Sequence, residues 1–400
     1  MAVFDLLERF GLEIEYMIVD RRTLGVLPIA DRLLVDRQGR IVGDLVREGM
    51  GWSNELAAHV LEIKTLEPVA DVRDVASRID ASVDRANEEL RRYDACLMPT
   101  GMHPWMDPAR ETVLWRHVGG EIYEAFDRVF GCAQHGWANI QSTQLNVSFA
   151  GDESFHRLLG AVRLVLPVIP ALAASSPFCS GRQARCLDAR ISEYVRGVRM
   201  LPPVLGELVP EPCASRSDYE RDVLAPMYEA ASRADAARVL CHEWLNARGA
   251  IARFDRGSVE IRLVDTQECP RADVAICELL AALLRALHED RWTELERGDA
   301  LSSARLQAIL MQTALHGDDA FLEDTEYLAV FGKARRMRAR ELWRELVEAL
   351  IPEPSDELQI IVDQGCLARR MLTVLEGGTT LPELYRMLCS CLASGQPLSS

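Results

Sequence analysis

The segment Gly11-Leu12-Glu13-Ile14-Glu15-Tyr16-Met17-Ile18-Val19 decides the fold. Leu12, Ile14, Tyr16 and Ile18 fall on one side of an extended chain and Glu13 and Glu15 on the other, the two-residue period of a strand with one buried face. Three more segments share it. Leu61-Glu62-Ile63-Lys64 sets Leu61 and Ile63 against Glu62 and Lys64. Residues 142–149 set Leu145, Val147 and Phe149 against Gln144, Asn146 and Ser148. Residues 258–263 set Val259, Ile261 and Leu263 against Glu260 and Arg262, and the turn Asp255-Arg256-Gly257 is expected to pair them with residues 250–254.

Stretches 72–93, 155–174, 219–246 and 272–288 carry the three-to-four spacing of helices, and the chain from 301 onward is helical almost throughout. Thr380-Leu381-Pro382-Glu383 reads as a capping box that starts a last helix, with a frayed tail after Gly395. No repeat or linker divides the chain, so one large α+β unit with a helical C-terminal extension is expected.

Of the 400 residues, 61 are acidic and 45 basic, a formal charge of -16 that disfavours nucleic acid as a partner. Lys64 and Lys333 are the only lysines, so 43 of the 45 cations are arginine. Neither lysine sits in G-x-x-x-x-G-K-[ST], which excludes a P-loop and leaves phosphate chemistry to arginine, backbone amides or metal. The 11 cysteines include no C-x-x-C, so no zinc ribbon or disulfide framework is indicated. The first ten residues lack an apolar signal core and no run of 18 apolar residues occurs, so a reducing cytoplasm is expected and a membrane is not. Apolar helices such as residues 276–287 suit a core or a subunit interface equally well, which leaves a homo-oligomer open.

If the four strands share a sheet, its polar face gathers Glu13, Glu15, Glu62, Gln144, Asn146, Glu260 and Arg262. Carboxylates on one face repel, and solvent, protonation or cations relieve them. Oxygen ligands suit Mg²⁺ or Mn²⁺, and Mg²⁺ usually accompanies a phosphate substrate. A solvated antiparallel face with Glu–Arg surface pairs accounts for the same pattern, and periodicity alone does not choose between them. Nor does it place Glu55, whose seven-residue offset from Glu62 has the wrong parity for one flat strand.

Five blocks stand in order along the chain: Gly11-Leu12-Glu13-Ile14-Glu15 (G-x-E-x-E), Glu55 with Glu62, Gly101-Met102-His103-Pro104 (G-x-H-P), Ser175-Ser176-Pro177-Phe178 with Gly181 and Arg190, and Gly257-Ser258-Val259-Glu260-Ile261-Arg262 (G-[ST]-[VI]-E-x-R). Together they resemble the glutamate-cysteine ligase family of carboxylate-amine ligases. The resemblance covers about residues 10–265 and implies a glutamine-synthetase-like fold, an antiparallel sheet curved into a funnel. It implies residues 1–300 as the catalytic core and 301–400 as the extension. Glu13, Glu15, Glu55, Glu62 and Glu260, with Gln144, would hold two or three Mg²⁺ ions that bridge the phosphates of ATP. Arg262 and Glu260 would be catalytic, Arg262 neutralising the transferring phosphoryl group, while Arg190 and Asn146 would contact ATP or substrate. The implied reaction joins the γ-carboxylate of glutamate to an amine such as cysteine through an acyl phosphate. Where many relatives carry histidine this chain has Gln144, a neutral ligand that cannot titrate. Two other readings use the same residues: a nucleotide- or metabolite-binding homologue that has lost ligation, and a metallohydrolase.

His103 reads as a turn histidine bonded to backbone or as a nucleotide contact. His242-Glu243-Trp244-Leu245-Asn246 lacks the second histidine of a zincin and reads as a helix surface. Trp137 and Trp244 read as packing residues. The basic run 333–340 reads as a helical face, solvated or set against acidic surface of another subunit.

Overall fold

The computed structural model describes residues 3–399. Its main sheet has eight strands: β1 (Phe10–Asp20), β2 (Asp44–Arg47), β3 (Met50–Asn54), β4 (Val60–Thr65), β5 (Ala95–Met98), β6 (Ser142–Ser148), β7 (Ala250–Arg253) and β8 (Ser258–Asp265). They pair antiparallel in the order β2-β3-β4-β1-β6-β8-β7, with β5 beside the far end of β1, and the sheet is open. β1 is the spine because it is long enough to serve three partners. Glu15 faces Glu62 of β4, Glu13 faces both Lys64 of β4 and Gln144 of β6, and Met17 to Asp20 pair with β5. All four alternating segments therefore lie in one sheet, and one face is polar as the period requires.

The other face carries Leu12, Ile14, Tyr16 and Ile18, all fully buried. Helices α1 (Ala76–Leu90), α2 (Gly151–Val165) and α4 (Pro270–His288) cover it, and α3 (Ala189–Val198) lies beside the polar face. Burial of these side chains, at roughly 25 cal/mol per Å² of apolar surface, is what fixes the register, since a one-residue slip would turn the glutamates into the core. The run Gly151–Ala173 is long and apolar enough to cross a membrane, yet 89% of its most apolar window is buried inside the protein. Residues 301 to 362 contribute Leu306, Leu310, Trp343 and Leu346 to this same core. The last helices pack against Met17, Val19 and Met98 through Met371, Leu384 and Leu388.

Four expectations need correction. The helix expected over 219–246 stops at Ala234, because the Asp235 carboxylate accepts from the Leu240 amide (3.2 Å) and draws the chain into turns. Glu243–Leu245 is a single 3₁₀ turn, so His242 and Asn246 never share a helical face. The tail is anchored rather than frayed over its described residues 395–399, Ser400 lying outside them. Leu398 is buried, its amide donates to Glu268 (3.2 Å) and its carbonyl accepts from Arg370 (2.7 Å), which together form a fully buried ion pair. The basic run 333–340 is not helical either. It crosses a turn and the short strand Met337–Arg338 before a helix starts at Ala339, and Lys333, Arg335, Arg338 and Arg340 pair with Glu341, Glu345 and Asp319 of the same chain.

The capping box does start helix α5 (Leu381–Ser394): the Thr380 side chain accepts from the Glu383 amide, and Glu383 accepts from the Thr380 amide (2.9 Å). Thr380→Ala is expected to cost about 1 kcal/mol, measurable by urea unfolding.

Candidate active site

The polar face floors a cavity of about 550 Å³. Glu15, Glu62 and Glu260 are buried there, 8%, 4% and 1% exposed, so the face is not the solvated surface that periodicity allowed. Glu55 joins them because the chain leaves β3 at Asn54 and turns before β4 begins, which dissolves the parity conflict. Among the described residues, Glu15, Glu55 and Glu62 form a triad whose ligand oxygens lie within 4.8 Å of one another.

Glu13 and Glu260 stand apart from the triad because arginines hold them. Glu13 accepts from Arg256 and from the Asn146 amide, both at 3.1 Å. Glu260 accepts from Arg253 (2.9 Å) and Arg262 (2.5 Å). Sequence reasoning missed Arg253 and Arg256. The signal lay in the predicted hairpin: Arg253 faces Ser258 in register, hence shares a face with Glu260, and Arg256 is in the turn itself. A register shift between Ile261 and Val264 re-aims the strand at Arg262, whose guanidinium also reaches the Asn246 carbonyl (3.3 Å).

Each triad member has its own support. Glu15 accepts from the Ser142 amide (2.8 Å) and from the Gln144 side chain (3.0 Å), so Gln144 orients Glu15 through its nitrogen. Glu62 accepts from Ser53 (2.7 Å) and pairs with Lys64 (3.1 Å). Beside Glu55, Asn54 donates to Tyr123 (2.9 Å). Ile122, Phe126, Trp137 and Trp244 make an apolar wall of the same cavity.

Arg190, near the start of α3, is buried on Asp265, with a further bond to the Arg262 carbonyl (3.2 Å). Asp265 also accepts from the Ser175 amide (2.8 Å) and the Ser176 hydroxyl (2.7 Å), and Ser175 in turn accepts from the Gly101 amide (2.9 Å). A Cβ on Gly101 would sit 2.5 Å from the Asp265 carboxyl carbon, so only glycine permits this approach. The turn, serine and arginine blocks thus meet at one carboxylate. His103 does not reach the cavity: its Nε2 bonds the Leu24 carbonyl (2.7 Å) and its Nδ1 accepts from the Met106 amide (3.0 Å), the backbone-bonded turn histidine.

The electrostatics divide the cavity. Burial first, and repulsion from Glu62 second, push Glu13 and Glu15 up to about 8. Burial and then Glu15 push Glu55 up to about 8, and burial raises Glu62 as well. Burial works the same way on Glu260, but Arg262, Arg253 and Arg256 outweigh it and hold that carboxyl below its ordinary value. One end is therefore a cation-rich wall and the other a set of buried carboxylates short of positive charge. Three carboxylate donors, Glu15 and Glu62 buried and Glu55 half-buried, fit a hard divalent ion such as Mg²⁺ or Mn²⁺.

An open antiparallel sheet that gathers acids and arginines on one buried face defines the class, a carboxylate-amine ligase, once its relatives are compared. Residues 9–381 match the family model of glutamate-cysteine ligase family 2. An uncharacterized protein of Archaeoglobus fulgidus is 31% identical over 363 residues, 86% of this chain and 97% of that one. The fold is shared with a glutamate-cysteine ligase from Francisella tularensis solved in complex with AMP (TM-score 0.58, 11% identity, 98% of this chain and 90% of that one). It is shared also with a bifunctional glutathione synthetase from Pasteurella multocida (TM-score 0.61, 14% identity, 97% of this chain); the present chain spans about half of that protein, 53%. The chain belongs to glutamate-cysteine ligase family 2.

Proposed function

We propose that the protein is an ATP- and Mg²⁺-dependent, ADP-forming ligase that joins the γ-carboxylate of glutamate to a small amine such as cysteine. The observation that carries this reading is the triad of Glu15, Glu55 and Glu62 set against the arginine wall in one cavity. Bound at the triad, Mg²⁺ or Mn²⁺ supplies the charge that lets two anions approach.

The chain's own groups do the rest. Arg253, Arg256 and Arg262 receive the ATP phosphates, and Arg262, held by Glu260, neutralises the phosphoryl group in transfer. The second Nη of Arg190, buried without a partner, is the donor left for a substrate carboxylate or phosphate. Asn146 and Gln144 fix Glu13 and Glu15 rather than move protons. A glutamate carboxylate oxygen attacks the γ-phosphorus and ADP leaves. The amine then attacks the acyl carbon, loses a proton, and phosphate leaves. Holding both substrates against one rigid sheet supplies much of the acceleration.

The test is purified protein with glutamate, ATP, Mg²⁺ and a panel of amines that includes cysteine. The expected result is ADP and phosphate release that requires both glutamate and an amine, with the amide seen by mass spectrometry. ATP binding without ADP release would overturn ligation in favour of a binding protein, and phosphate release without amine would favour a hydrolase.

A further inference from the structure

Of the cations that line the cavity, Lys64 is the one that the ligase chemistry above does not use. Its ammonium lies 3.1 Å from a Glu62 carboxylate oxygen and 2.9 Å from Asp44 on the edge strand β2, and Lys64 faces Glu13 in register on β1. It therefore stands between Glu62 and Glu13, where a second oxygen-liganded cation would bridge the triad to the rest of the acidic face. The placement is built. Gly51, opposite Lys64 on β3, has no side chain, and a Cβ there would lie 3.0 Å from the Lys64 Cγ and 3.5 Å from its Cε. The lysine stem lies in that gap.

The residue type adds to the geometry. The chain uses arginine for 43 of its 45 cations, yet at this point it has lysine. An ammonium is a compact, strongly hydrated point charge with three donors, close in behaviour to a metal ion, where a guanidinium is a wide planar fork. Charge counting agrees. Glu13 and Glu260 are ion-paired with Arg256, Arg253 and Arg262, whereas among the described residues Lys64 is the cation ion-paired with the triad, Arg190 and Arg262 acting on Glu15 only from further off.

We propose that the Lys64 ammonium is a built-in cation that takes one metal position of the carboxylate face, so that the nucleotide-free pocket holds one divalent ion, on Glu15, Glu55 and Glu62. This rests on the reading of the triad as a metal centre. Its consequence is a site with a lower metal requirement than five carboxylates suggest, because one of the cations is covalently part of the chain.

The experiment is a titration of Mn²⁺ into nucleotide-free protein, followed by the electron paramagnetic resonance signal of free Mn²⁺. Wild type is expected to take up one Mn²⁺ per chain and K64M two. K64Q replaces K64M should the latter fail to fold by circular dichroism. One Mn²⁺ per chain in wild type and in K64M or K64Q alike would overturn the proposal and leave the triad intact as a metal centre. Two in wild type would overturn it also. No uptake by any variant would overturn the metal centre itself.

Discussion

Glu15→Gln should lower amine-dependent ADP release by about 10²–10³-fold, the usual scale for removing one electrostatic contact to a reacting group, while raising the thermal unfolding midpoint of the metal-free protein. Glu15 is buried against Glu62 and short of counter-charge, so in the absence of metal its ionised form costs folding free energy. The amide keeps the shape and one acceptor for Ser142, and removes the repulsion. Loss of function with gain of stability is what a binding site, as opposed to a structural ion pair, produces. The pH dependence follows the same cause. An unfolded carboxyl titrates near 4.5, and folded Glu13, Glu15 and Glu55 near 8. Between these values these three groups bind more protons in the folded chain than in the unfolded one, so their contribution to metal-free stability is fullest below about pH 4.5 and is lost as pH rises through about 8. Added Mg²⁺ favours the deprotonated folded form and should flatten that decline. Differential scanning calorimetry of wild type and Glu15→Gln from pH 5 to 8, with and without Mg²⁺, reads both. A wild-type midpoint that climbs with pH in the absence of metal would refute the account.

The acidic face was legible because strand alternation has a period of two and no ambiguity. Once Leu12, Ile14, Leu61, Leu145 and Ile261 must be buried, Glu13, Glu15, Glu62, Gln144 and Glu260 must share the other side. What alternation does not carry is adjacency. That β4 and β6 flank the same strand, and that Arg256 of a distant turn reaches Glu13, are tertiary facts. Alternation could not place Glu55 for a different reason, since a turn resets the parity of every residue after it, and only the family resemblance pointed to it. The helix over 219–246 failed because apolar spacing says nothing of a side chain that competes for backbone donors, as Asp235 does. Nor could the tail have been placed from Gly395 onward, since the buried Arg370–Glu268 pair that receives Leu398 comes from two remote segments.

Asp265→Asn should destabilise the fold by about 3–5 kcal/mol, the range for leaving one member of a buried ion pair uncompensated. Asp265 and Arg190 are fully or almost fully buried on each other, and among the described residues no other carboxylate is ion-paired with the guanidinium, Asp188 and Glu15 attracting it only from further off. Asparagine keeps an oxygen for the Ser175 amide and the Ser176 hydroxyl, so the loss isolates the charge. Two buried charges are costly together and costlier alone, which sets the diagnostic comparison. In Arg190→Met/Asp265→Asn both charges are gone, the two serine bonds remain, and more than half of the single-variant loss should return. Activity should not return with it, because the Arg190 side chain that reaches the Arg262 carbonyl and offers a free Nη to the cavity is absent. Urea unfolding of both variants at pH 7, checked for an unchanged m-value, gives the stability terms, and the ligation assay gives the other. A single variant within about 1 kcal/mol of wild type would mean that the serines and not the arginine hold Asp265. A double variant as unstable as the single would mean that packing at Gly101, not charge, dominates this corner.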